Sequence, residues 1–228
     1  MGSGRFSVTL MIGAPGAGKG TQAHFVRETL GIPHVATGDL LREHRRRGTA
    51  LGKTARAYMD RGDLVPDDLV VKMVVERLEQ PDAANGVLLD GFPRTIGQAA
   101  SLDAELSKRG GGVAAALFLD VPPGVLVRRL SGRRMCDGCQ RTYHVDLHEL
   151  ADDGSCPACN GHLVQRRDDQ RSAVARRISV FLDMTTPVLD YYRSRGLVHR
   201  VDGNRDVEEI RERLLCVLRR RVPQLVAS

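Results

Sequence analysis

The stretch Phe6–Leu30, FSVTLMIGAPGAGKGTQAHFVRETL, decides how the rest of the chain is read. Phe6–Ile12 is rich in strand formers and alternates weakly. It runs straight into GAPGAGKG (Gly13–Gly20), and from Lys19 to Leu30 the pattern turns helical and stops at Gly31. A strand, a glycine-rich loop with a lysine and then a helix form the context a phosphate-binding loop requires. Glycines let consecutive backbone N–H groups turn inward, with a helix N-terminus behind them. Lys19 then reaches the β- and γ-phosphates of a nucleotide, and Gly16, Ala17, Gly18, Gly20 and Thr21 complete the cradle. Only Lys19, Lys53, Lys72 and Lys108 are lysines among the 34 basic residues. Keeping lysine in so arginine-rich a chain marks a slot that needs a compact point charge, not a planar fork. The Ser or Thr that usually follows this lysine is Gly20, with Thr21 one place on, so direct hydroxyl coordination of Mg²⁺ in the usual manner is not expected.

Outward from this loop, the apolar pattern alternates short buried strands with helices. A strand at Val35–Ala36 meets Thr37-Gly38-Asp39, an N-cap signal for a helix to about Arg47. Helices are expected over Ala50–Arg61, Asp67–Glu79, Thr95–Arg109, Pro123–Gly132, Gln170–Arg195 and Asp206–Arg220. Strands are expected at Gly86–Asp90, Ala114–Asp120 and Val198–Val201. This alternation implies an α/β fold, a mostly parallel sheet covered on both faces by helices. The segment from Arg133 to about Asp169 breaks the rhythm and reads as an insertion.

Composition narrows the function classes. With 228 residues, 42% hydrophobic and 27% charged, the chain has the balance of a soluble globular protein. Aromatics are 4% with no Trp, which argues against base-stacking platforms for single strands. No apolar run approaches a membrane span, and a Gly-rich loop stands where a signal peptide would have its cleavage site. A cytosolic enzyme is the expectation. The net charge of +6 allows nucleic acid, an anionic membrane or small phosphorylated ligands as partners.

Four of the five cysteines form Cys136-x-x-Cys139 and, sixteen residues on, Cys156-x-x-Cys159. Two such knuckles complete a tetrahedron, so the pattern points to a structural Zn²⁺ site with no open position. Disulfide pairing is the alternative, disfavoured in a cytosolic chain. His144, His148 and His162 are nearby but unnecessary, and read as exposed or locally bonded. Cys216, on the last amphipathic helix, reads as a core filler.

An ordered set of motifs resembles the adenylate kinase family: GAPGAGKGTQ (Gly13–Gln22), TGDLLR (Thr37–Arg42), GDLVPDDLV (Gly62–Val70) and LLDGFPRT (Leu88–Thr95). GRR (Gly132–Arg134), RRDD (Arg166–Asp169), Arg176-Arg177 and VDG (Val201–Gly203) continue it in family order. The resemblance implies a P-loop NTPase-like core (1–36, 66–132, 170–228), an AMP-binding helical insertion (37–65) and a zinc-containing lid (133–169). It implies reversible transfer of the terminal phosphoryl of Mg·ATP to AMP, giving two ADP. By that resemblance Lys19, Arg94, Arg133, Arg166, Arg177 and Asp90 are catalytic. Asp90 would organise the Mg²⁺ water shell, and Asp168 and Asp169 would orient the lid. Arg129, Arg133, Thr142, Tyr143 and Arg205 would join the phosphate loop on ATP. Thr37, Arg42, Leu64, Val65, Gly91, Arg94, Gln98, Arg166 and Arg177 would hold AMP, with Thr37, Leu64, Val65 and Gln98 at the adenine. For recognition Asp63 would matter only through its backbone, and Arg45, Arg46 and Arg47 are surface charge. A cytoplasmic monomer acting on ATP, AMP and ADP, without nucleic acid or membrane, is implied. Setting aside the phosphate-facing cations leaves the remainder of the chain near neutral. The alternatives are a UMP/CMP or GTP-dependent kinase, and a zinc-ribbon nucleic-acid-binding ATPase.

Overall fold

The computed structural model describes residues 6–61, 63–146, 150, 153–223 and 225, so Gly62 and His148 lie outside the described residues. Its centre is a five-stranded, all-parallel sheet of β1 (Ser7–Gly13), β2 (His34–Ala36), β3 (Val87–Asp90), β4 (Gly112–Asp120) and β8 (Val198–Asp202). The strand order is β2-β3-β1-β4-β8. Every residue of β1 is buried, which is why its sequence is apolar almost without interruption.

The chain leaves β1 in one direction to reach β2 and moves in the opposite direction at every later crossover. With right-handed connections, that reversal puts α1 (Lys19–Leu30) on one face. The other face receives α4 (Asp67–Leu78), α5 (Ile96–Lys108) and α8 (Thr186–Arg193). The C-terminal α9 (Val207–Arg221) packs on α1, β4 and β8. Because β1 and its neighbours β3 and β4 send their chains to opposite faces, a crevice opens beyond their carboxyl ends. The register sets those ends level: Met11 pairs with Asp90, Ala36 with Asp90, and Gly13 with Leu119.

Two helices, α2 (Thr37–Arg46) and α3 (Ala50–Arg61), stand between β2 and α4. After α6 (Pro123–Ser131), the cysteine segment forms its own antiparallel sheet of β5 (Arg133–Cys136), β6 (Thr142–His144) and β7 (Leu163–Val164). No helix among the described residues is long and apolar enough to cross a membrane.

Three local expectations are corrected. Thr37 is the first residue of α2 and not its cap, because its hydroxyl donates across to the Gly91 carbonyl at 2.9 Å. The helix expected over Gln170–Arg195 is α7 (Arg171–Val180) and α8 joined by a π turn at Phe181–Thr185. Pro187 has no N–H for the preceding turn, and the widened turn accommodates that loss. Cys216 is exposed, since Ile210, Leu214 and Leu218 define the buried stripe of α9 and Cys216 falls on the opposite side. Asp63, whose expected part in recognition was through its backbone alone, has a structural side-chain contact as well: its carboxylate accepts from Arg61 Nε at 3.0 Å and Arg176 Nε at 2.8 Å, tying the end of α3 to α7.

Candidate active site

The phosphate loop follows β1 into the crevice. Gly16 and Gly18 have φ of 84° and 91°, left-handed backbone that favours glycine, and Gly18 leads directly into α1. The Lys19 ammonium folds back over the loop and donates to the carbonyls of Gly13 at 2.8 Å and Ala14 at 3.2 Å. Burial pushes its pKa down to about 8; Asp90 opposes this while Arg94, Arg177 and Arg133 add to it. The lysine is therefore buried with one opposing carboxylate and three like charges acting on it, a setting that a bound polyanion would relieve.

Asp90 ends β3 beside the loop. Burial opposes its ionisation, but His34 and Lys19 outweigh that and hold its carboxyl below the ordinary range. His34 Nε2 lies 3.4 Å from Asp90 Oδ2. Gly91 follows at φ 74°, and a Cβ there would sit 2.9 Å from Arg94 Nη2 and 3.3 Å from Thr37 Oγ1. Glycine at this place lets both side chains close on one carbonyl: Arg94 Nε donates to Gly91 O at 2.7 Å, as Thr37 does. Burial and the nearby Arg177 push Arg94 down to about 10, still cationic at neutral pH.

One cleft, with about 600 Å³ of open space, gathers Thr37, Arg42, Leu64, Val65, Gly91, Arg94, Gln98 and Arg177. A second, lined by Lys19, Gly91, Arg94 and Arg177, runs beneath the phosphate loop to Phe181 and Thr185. Arg94 and Arg177 belong to both, so the two open into each other at a cationic centre. Asp168 and Asp169 interleave with these cations. Arg166 grips Asp168 through two nitrogens at 3.2 and 3.0 Å. Arg133 grips the buried Asp169 at 2.7 and 2.5 Å, and Arg177 Nη1 reaches Asp169 Oδ1 at 3.0 Å. Burial opposes ionisation of Asp168, yet Arg177, Arg166, Arg133 and Arg42 hold its pKa down to about 2.

Other expected residues lie around the loop's far side. Arg129 Nη1 donates to Gly203 O at 3.0 Å, and Gly203 backs onto the loop, where a Cβ would lie 3.4 Å from Ala17 O. Arg205 pairs with Asp202 at 2.8 Å. Thr142 is exposed on β6, while the Tyr143 hydroxyl lies 3.2 Å from Cys156 Sγ. Sequence reasoning missed Asp67, Thr95 and Thr185. Asp67 accepts from Thr95 Oγ1 at 2.6 Å and Gln98 Nε2 at 2.7 Å, and Thr185 Oγ1 donates to Arg94 O at 3.1 Å. Thr95 carried a signal as the N-cap of α5, and Asp67 lay within GDLVPDDLV at the start of an expected helix; Thr185 carried none.

The sulfur atoms of Cys136, Cys139, Cys156 and Cys159 all lie within 4.8 Å of one another. The pairs Cys136–Cys159 and Cys139–Cys156 are 3.4 and 3.7 Å apart, too far for a disulfide bond. Four thiolates about 2.3 Å from a zinc ion span edges of about 3.8 Å. Each knuckle closes alike, with Gln140 N donating to Cys136 O and Asn160 N to Cys156 O, both residues at positive φ. A Cβ on Gly161 would press to 2.9 Å from Cys136 Sγ. The donor set and spacing fit a structural zinc. His144 is locally bonded, its Nδ1 accepting from Asp146 N at 3.1 Å, and His162 is exposed, as expected.

A parallel sheet with this loop, and joined clefts lined by Lys19 and arginines, define a P-loop phosphotransferase. The family model described as adenylate kinase matches residues 11–197. Proteins named adenylate kinase from Moorella thermoacetica and Streptomyces avermitilis are 47% and 46% identical over 201 and 212 residues. These alignments cover 88% and 92% of this chain and 93% and 96% of the relatives. One from Archaeoglobus fulgidus is 44% identical over 92% of this chain and 96% of its own. The chain belongs to the adenylate kinase family. Its activity is that of a nucleoside monophosphate kinase, an ATP:AMP phosphotransferase.

Proposed function

We propose that the chain interconverts ATP plus AMP with two ADP by holding the nucleotides phosphate to phosphate across Lys19, Arg94 and Arg177. The observation that carries this reading is the sharing of Arg94 and Arg177 by both clefts. ATP phosphates lie in the cradle of Gly16, Ala17, Gly18, Lys19, Gly20 and Thr21. The AMP phosphate lies against Arg42, Arg94, Arg166 and Arg177, with Gly91 below it. Thr37, Leu64, Val65 and Gln98 read the adenine. That phosphate is already ionised at neutral pH, so transfer needs no general base from the protein. The work left to the side chains is alignment and compensation of charge on the transferring group, which Lys19, Arg94, Arg133, Arg166 and Arg177 supply.

Mg²⁺ accompanies ATP and, when bound, neutralises charge on the β- and γ-phosphate oxygens. Asp90, the carboxylate whose charge acts on Lys19, would orient the ion's water shell, which suits a loop whose post-lysine residue is Gly20. Arg129, Arg133, Thr142, Tyr143 and Arg205 frame the ATP base and phosphates. In this division residues 37–65 form the AMP-binding insertion, 133–169 a closing lid, and the remainder the core. Zn²⁺ held by Cys136, Cys139, Cys156 and Cys159 pins the lid and takes no part in transfer. The chain works as a cytoplasmic monomer on small nucleotides and not on nucleic acid. Exposed Arg61, Arg195, Arg200 and Arg213 are each paired with a carboxylate, which lowers the free positive charge at those places.

A coupled assay with ATP and AMP, CMP, UMP or GMP, with zinc content measured on the same sample, tests the reading. The expected result is a clear preference for AMP with one zinc per chain. A preference for a pyrimidine overturns it, as does ATP hydrolysis stimulated by nucleic acid and indifferent to AMP.

A further inference from the structure

Gln98 is 1% exposed, and its amide is held from both ends. Nε2 donates to Asp67 Oδ1 at 2.7 Å, and Oε1 accepts from the Arg94 backbone N–H at 2.7 Å. A carboxylate only accepts and a backbone N–H only donates, so these two partners admit one orientation of the amide. The second Asp67 oxygen accepts from Thr95 Oγ1 at 2.6 Å, and Thr95 Oγ1 accepts from Gln98 N at 3.1 Å. Asp67, Thr95 and Gln98 thus close a ring of bonds between the first turns of α4 and α5.

An amide carries two N–H donors and two acceptor lone pairs. One of each is taken, which leaves one N–H and one lone pair for whatever enters the cleft that Gln98 lines. The pairing edge of a 6-aminopurine offers a donor at N6 beside an acceptor at N1. A 6-oxopurine offers the reverse, an acceptor at O6 beside a donor at N1. An amide with a fixed direction complements the first, whereas a freely turning amide serves both. Discrimination through unpaired polar groups is the strong kind, since the mismatched base leaves buried donors and acceptors facing their like.

We infer that Asp67 is a specificity-determining positioning residue: it locks the Gln98 amide so that the cleft selects 6-aminopurine over 6-oxopurine monophosphates. The inference rests on the adenine-reading role proposed for Gln98. The test compares kcat/KM for AMP and inosine monophosphate at saturating ATP in Asp67→Ala and Asp67→Asn, with melting temperature and the KM for ATP measured alongside. In Asp67→Ala the AMP-to-inosine-monophosphate ratio falls about tenfold, mainly through KM, with the KM for ATP unchanged. In Asp67→Asn, whose amide presents either a donor or an acceptor, it falls by a smaller factor, about threefold. Equal losses for both substrates, with the ratio within twofold of the parent, mean a merely structural role and overturn the inference. Asp67→Asn keeps the side-chain volume and decides the matter if the alanine variant does not fold. Gln98→Leu separates the two levels. If it leaves the ratio unchanged, the reading of Gln98 fails. If it changes the ratio while both Asp67 variants do not, the inference about Asp67 alone fails.

Discussion

Lys19 shows how a single residue is read at two depths. Its place in GAPGAGKG gives the phosphate role by pattern, but only the folded chain shows an ammonium pressed by Arg94, Arg133 and Arg177. Lys19→Ala and Arg94→Ala are each expected to lower kcat/KM by about 100-fold or more with the melting temperature little changed. Near-normal turnover in either contradicts the site. The depressed pKa adds a sign: below about 8 the free enzyme holds the cation that phosphates need, and above it the amine is neutral. kcat/KM for ATP therefore falls about tenfold per unit above pH 8. A profile flat to pH 10 rules that out. The arginines were legible because each sits in a motif and carries the charge a phosphate needs; Asp67 lies within GDLVPDDLV but its role did not follow from it, and Thr185 lies in none. Their partners lie 31 and 91 residues away in sequence, and no local pattern encodes such a meeting.

Among the elements, long apolar strands and capped helices were readable because burial and capping act locally. The strands β5, β6 and β7 were not, being two to four residues each and held by cross-strand pairing beside the sulfur cluster. The break between α7 and α8 had its signal in Pro187, which a helical count carried past. The cysteine knuckles were legible from spacing alone. Few apolar residues surround them, so a zinc ion bound there would supply much of that segment's folding energy. Chelating the zinc is expected to lower the melting temperature by about 5 °C or more while the initial rate at moderate temperature stays within about twofold. Activity that tracks zinc occupancy at a constant melting temperature overturns the structural role.

At the scale of the whole molecule, the alternating pattern gave the parallel sheet, and the reversal of winding at β1 explains where the clefts open. What the pattern could not give is how segments distant in sequence are tied, as Asp63 ties α3 to α7. Charge coupling at this scale also governs acid stability. Asp168 is depressed from 3.8 to about 2, so its contribution is present above its unfolded value and lost as pH falls through about 2. Unfolding free energy measured between pH 4 and pH 2 is expected to drop less steeply in Asp168→Asn than in the parent. Equal slopes would show that this carboxylate is not a linked group.

Asp168 and Asp169 also have a meaning for affinity. They pair with Arg133, Arg166 and Arg177, the cations proposed above to meet phosphate, and on that proposal stand as resident surrogate anions. On the same proposal nucleotide entry is an exchange of one anion for another. The guanidiniums would then keep an anionic partner when a product leaves, which would temper binding strength and favour release over retention.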